Sequence, residues 1–124
     1  MSRPHELWWG YVRRILRDQP RKERLLKDMR DTGGRGDRPT EHAAGVMLSA
    51  WSMREYEAVR RASAITQKLP DGRWRLRLIR LMYFDRTKRT LPGAAIQCHV
   101  SERTAQRWHG EYIRLVASIM GMME

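Results

Sequence analysis

An all-α fold is expected from three observations. Apolar residues recur at helical spacing in almost every segment. Two breaks, Thr32 to Pro39 (TGGRGDRP) and Pro70-Asp71-Gly72, cut the chain into helix-sized blocks. Residues 90–117 read as two capped helices around a tight corner. The architecture these predict is an N-terminal helical segment plus a long helix, paired as a hairpin or as a dimerising coiled-coil-like element, over residues 1–69. A flexible loop at 32–39 interrupts it. A three-helix helix-turn-helix unit, expected to bind DNA, follows over residues 70–124.

Composition narrows the partners. The chain has 124 residues, enough for one domain or a small domain with an extension. With 25 Lys/Arg against 14 Asp/Glu, its formal charge is +11, which favours nucleic acid or an anionic membrane surface. No apolar run approaches the ~20 residues that span a bilayer, and the N-terminus lacks a signal-peptide-like apolar core. No membrane partner is therefore expected, and the cytoplasm is the expected location. One cysteine, Cys98, allows no internal disulfide. Its place on an inward helix face suits a small core residue better than a reactive thiol. Residues 1–40 carry 11 Lys/Arg and 6 Asp/Glu, residues 41–68 carry 4 and 3, and residues 69–124 carry 10 and 5. A nearly neutral packing element thus lies between two basic ends.

The first helix is expected over 5–18, with Leu7, Trp8, Tyr11, Val12, Ile15 and Leu16 inward and Arg13, Arg14 and Arg17 outward. Pro20 should end or kink it, and a second segment resumes with Leu25, Leu26 and Met29. Trp8 and Trp9 read as core or interface anchors rather than base-stacking rings. The glycines of Thr32 to Pro39 read as a linker. No strand precedes them and no Gly-Lys-Ser/Thr follows, so they are no phosphate loop, and the Arg-Gly-Asp triplet carries too little information to imply adhesion. Thr40 should cap a long helix from Glu41 to about Lys68. Its seam of Ala44, Leu48, Trp51, Glu55, Ala58, Ala62, Ile65 and Leu69 would pair with the first helix or with a second copy. Glu55 in that seam is a flaw or a register-fixing residue paired with an arginine. Arg73 to Phe84 then gives a core helix with Trp74, Leu78, Leu81, Ile79, Met82 and Tyr83 inward and a solvated rim of Arg73, Arg77 and Arg80.

In residues 90–117, Thr90 caps a first helix in which Pro92 is tolerated. Ala94, Ala95 and Cys98 are small enough to let a second helix lie close. His99 ends the first helix, Val100 plugs the corner, and Ser101 caps a helix from about Glu102 to Ile119. Ala105, Trp108, Tyr112, Leu115 or Val116, and Ile119 face inward. Ser101, Glu102, Arg103, Gln106 and Arg107 are the expected base-reading residues, because a second helix of this kind enters the major groove by its N-terminal residues. Arg and Gln suit guanine and adenine edges there. Arg86, Lys88 and Arg89, in the basic loop from Asp85, are expected on phosphates with Thr90 and Thr104. The corner normally takes Gly. His99 stands there instead, a residue that tolerates positive φ better than most.

Phe84-Asp85, the basic loop, Thr90-Leu91, Ala94-Ala95, Val100-Ser101 and Thr104 together resemble region four of bacterial primary sigma factors. The whole layout is similar to the RinA/ArpU-like phage regulators of late genes: an N-terminal helical segment around Tyr11 to Met29, a Gly-rich loop at Thr32 to Asp37, the helix start Pro39-Thr40-Glu41, and the sigma-like motif VSERTAQRW. Pro92-Gly93, where acidic residues are common, and His99 depart from the pattern. The resemblance implies a phage- or prophage-borne transcriptional activator acting at a promoter and touching RNA polymerase.

No catalytic constellation is legible. His5, His42, His99 and His109 lack ligand spacing, and neither a Ser/His/Asp set nor a carboxylate pair is placed for acid–base work. No enzyme activity, cofactor or metal is expected. The expected partners are double-stranded DNA, RNA polymerase through the resemblance, and a second copy, because dimers read two half-sites. Two alternatives are the DNA-recognition small subunit of a phage packaging terminase, which would form a large ring, and an RNA polymerase or sigma-binding adaptor of weak DNA affinity anchored by Trp8, Trp9 and Trp51.

Overall fold

Five helices pack around one large core and a smaller cluster of Leu26, Leu48 and Tyr56 in a computed structural model that describes residues 5–33 and 48–122. They are α1 (His5–Gly33), α2 (Ala50–Gln67), α3 (Gly72–Ile79), α4 (Leu91–Gln97) and α5 (Glu102–Ile119). The described residues contain no strand.

α1 runs unbroken through Pro20, contrary to the expectation of an end or kink there. A proline inside a helix costs about 3 kcal/mol. The offset is a continuous buried stripe on both sides of it: Val12, Ile15, Leu16, Gln19, Lys22 and Leu26. Gln19, the residue that Pro20 should push out of helical geometry, is held by its amide donating to the Tyr56 carbonyl at 3.2 Å. Thr32 and Gly33 are the last residues of α1 rather than the start of a loop. The remainder of the expected linker, and the Thr40 cap with Ala44, lie outside the described residues.

A single helix from Glu41 to Lys68 does not form. α2 starts at Ala50, where the Ser49 hydroxyl accepts from the Ser52 N–H at 3.1 Å, so the local cap overrides the longer apolar pattern. The seam is only partly inward. Leu48, Ala58 and Ala62 are buried, whereas Trp51, Ile65 and Leu69 are exposed. α1 of the same chain meets the α2 seam at Trp51 and Glu55, and Glu55 pairs with a lysine rather than an arginine. Lys22 Nζ lies 2.8 Å from Glu55 Oε1, and the Tyr11 hydroxyl donates to Glu55 Oε2. The Trp51 indole donates to the Tyr11 oxygen at 2.7 Å, and the Tyr56 hydroxyl donates to Glu23 at 2.7 Å.

The turn after α2 is set by close approach. A Cβ on Gly72 would lie 2.3 Å from the Thr66 carbonyl oxygen, so only glycine lets α3 start this near the end of α2. α3 passes directly into one π-turn, Arg80–Phe84, closed by Asp85 N–H to Arg80 O at 2.9 Å. Leu81, Met82 and Tyr83 are buried consecutively on it. The boundary expected at 69/70 coincides with the turn, and one hydrophobic core crosses it. Val12, Ile15 and Leu16 of α1 and Ala58, Val59 and Ala62 of α2 share that core with Leu78, Ala94, Trp108 and Ile113. Trp8 and Trp9 pack against it.

Candidate nucleic-acid interface

α4 and α5 carry the site, and their caps are as the residue types predict. The Thr90 hydroxyl accepts from Gly93 N–H at 3.3 Å, and the Ser101 hydroxyl accepts from Thr104 N–H at 3.1 Å. Ala94, Ala95 and Cys98 are buried where the two helices meet. Burial raises the Cys98 thiol pKa, consistent with a packing role. His99 makes the corner with φ of 59°, the left-handed region that costs a non-glycine residue about 1–2 kcal/mol. The Trp74 ring meets the His99 ring edge-on with centroids 6.1 Å apart, so α3 braces the turn from outside. Val100 is half-buried against the core, and its N–H bonds to the Ala95 carbonyl at 3.1 Å.

α5 presents Glu102, Arg103, Gln106 and Arg107 to solvent on its first two turns. Among the described residues neither arginine has a carboxylate within ion-pair distance. The Gln106 amide reaches Glu102 Oε2 only at 3.5 Å, a weak contact that either side chain can give up. The arrangement offers two free guanidinium forks and a carboxamide at the end of a helix where the backbone dipole also favours anions. Ser101 and Thr104 differ from these four. The Ser101 hydroxyl also donates to Thr104 Oγ1 at 3.1 Å, so both hydroxyls are engaged in the cap.

The loop after the π-turn exposes Arg86, Lys88 and Arg89. Arg89 N–H bonds to the Leu81 carbonyl at 2.9 Å, and Lys88 Nζ donates to the Asp85 carbonyl at 3.0 Å. Asp85 also accepts from Arg80 Nε at 3.3 Å. The loop is thereby tied back to the π-turn beside Thr90.

Two features of the site were not legible in the sequence. α5 is buried on a wider face than Ala105, Trp108, Tyr112 and Val116, because α1 covers its other side. His109, Gly110, Ile113 and Ala117 are buried too, and a Cβ on Gly110 would meet Trp9 at 3.5 Å. Second, Arg13, Tyr83 and His109 form a linked set. Arg13 Nε donates to the Tyr83 oxygen at 2.9 Å, and that hydroxyl lies 2.6 Å from His109 Nε2. The rings of Tyr83 and His109 stack at 5.7 Å, and Trp9 closes the edge at 5.7 Å. Burial, aided by the Arg13 charge, lowers the His109 pKa to about 4. The imidazole is therefore neutral near pH 7, and its Nε2 shares one hydrogen bond with the Tyr83 hydroxyl. Residues 13, 83 and 109 are too far apart in sequence for periodicity to connect them.

The described residues contain no cluster of side chains able to hold a metal ion, and no helix is long and apolar enough to cross a membrane. Comparisons with family models, curated proteins and solved structures found no match to this chain.

Proposed function

We propose that the protein binds double-stranded DNA sequence-specifically and acts as a phage- or prophage-borne transcriptional regulator, an activator of late genes. The observation that carries the reading is the exposed set Arg103, Gln106 and Arg107 on the first two turns of α5, set beyond a capped corner whose central residue has positive φ. These side chain types match base edges in the major groove. The exposed loop cations and the +11 charge supply the attraction to phosphate. The RNA polymerase contact implied by the sigma-like motif belongs to this reading, as does a homodimer.

Selection of bound duplexes from a random pool tests the reading. A single enriched sequence is expected, and Arg107→Ala and Gln106→Ala should each reduce discrimination between it and a scrambled duplex by about 1–3 kcal/mol. Unchanged preference in both variants refutes the assignment of these residues to base reading. Light scattering checks the assembly: two chains are expected, and eight or more would favour the packaging-terminase alternative. Polymerase capture that survives loss of Arg103 and Arg107 would favour the adaptor.

A further inference from the structure

We infer that the cleft between α1 and the loop before α4 seats one DNA backbone phosphate, so that α1 clamps the duplex beside the reading helix. The inference rests on the duplex-DNA reading above and adds to it a site on a helix that the motif does not include.

The cleft, about 510 Å³ in volume, is lined by Arg13 and Arg17 of α1, by Lys88 and Arg89 of the loop, and by Tyr83 and His109. No carboxylate lines it, and among the described residues none of the four cations is in an ion pair. Four like charges around one concavity repel one another, and an anion in the cleft relieves that. Arg13 is already aimed. Its Nε is held by the Tyr83 oxygen at 2.9 Å, with the guanidinium 5.9 Å over the Tyr83 ring. Both terminal nitrogens are left for a phosphate, the geometry that suits a guanidinium fork. The floor is rigid, because Tyr83 is fixed by the π-turn and His109 by its stacking. Its position is also right. His109 follows Gln106 by three residues, about 4.5 Å along α5, so the cleft flanks the base-reading side chains.

The test is fluorescence anisotropy of the full chain with a short mixed-sequence duplex over a KCl series. Arg17→Gln and Arg13→Gln should each reduce the slope of log K against log salt, and the double variant should reduce it by no more than about 0.9, the share of one phosphate. Lys27→Gln, which removes an exposed α1 charge away from the cleft, should leave the slope unchanged. Circular dichroism melts confirm folding, and Arg13→Lys, which keeps the charge, should retain the slope. If the parent binds duplex and both Gln variants keep its slope, or if Lys27→Gln lowers it equally, the clamp is refuted while the DNA reading stands. If the folded parent binds no duplex, both are refuted. A melting shift with inorganic phosphate that Arg13→Gln and Arg17→Gln abolish, together with an unchanged duplex slope, would make the cleft a free-anion site and refute the backbone assignment.

Discussion

Removing the Glu55 carboxylate should be among the most damaging single changes available to this chain. Lys22 is 1% exposed, its ammonium is 2.8 Å from Glu55 Oε1, and Glu55 itself is only 13% exposed. The other nearby carboxylate, Asp18, is 4.0 Å away and accepts two hydrogen bonds from Arg21. Glu55→Ala therefore leaves an ammonium buried without an adequate partner and deprives the Tyr11 hydroxyl of its acceptor. Breaking a buried pair from one side costs about 3–5 kcal/mol, and the weak support from Asp18 places this case near about 3 kcal/mol. That is a large part of the 5–15 kcal/mol typical of a domain. The double variant Lys22→Met/Glu55→Leu removes both charges and keeps the volume, so it should recover to within about 1 kcal/mol of the parent. Urea unfolding followed by circular dichroism gives both values and their coupling. A loss below about 1 kcal/mol for Glu55→Ala, or a double variant as unstable as the sum of the single changes, would refute the view that this pair ties α2 to α1.

Two glycines should respond in opposite directions. Gly72→Ala meets backbone oxygens at 2.3 and 2.5 Å and should cost about 3 kcal/mol in a thermal melt, the upper end of overpacking effects. Gly10→Ala, on an exposed turn of α1 with open space at its Cβ, should add about 0.5–1 kcal/mol. At the corner, His99→Val should lose about 1–3 kcal/mol because a β-branched residue resists positive φ. His99→Gly should stay within about 1 kcal/mol, relief of strain offsetting the lost Trp74 contact. His109 predicts a pH dependence. Its folded pKa of about 4 lies below the ordinary 6.5, so between those values the unfolded chain binds the extra proton. The stability it contributes is complete above pH 6.5 and falls as pH drops toward 4, by about 3 kcal/mol in total. His109→Phe should flatten the stability–pH curve in that window, and an unchanged curve would show that another group titrates there.

The second half of the chain was the legible half. Thr90, Ser101, the small residues between them and the inward stripe of α5 are local signals, since caps and i, i+4 spacing depend on neighbours within a turn or two. The positive φ of His99 was legible for the same reason, because a corner that normally takes Gly is a local signal. The first half misled wherever a local rule met a tertiary contact. Pro20 argued for a helix end, but the buried stripe from Val12 to Leu26 on α1 outweighs one proline. The seam from Ala44 to Leu69 argued for one long helix, but the Ser49 cap starts α2 at Ala50.

Helical class, the two caps of the helix-turn-helix, the exposed tetrad Glu102, Arg103, Gln106 and Arg107, and the basic charge follow from sequence, because each depends on residue type and short spacing. Tertiary structure decided the rest. It paired Lys22 with Glu55, placed Trp9 on His109 and brought Arg13 and Arg17 to Lys88 and Arg89. Those contacts join residues 33 to 100 positions apart, where helix periodicity carries no information about which faces will meet. Only packing around the shared core selects them.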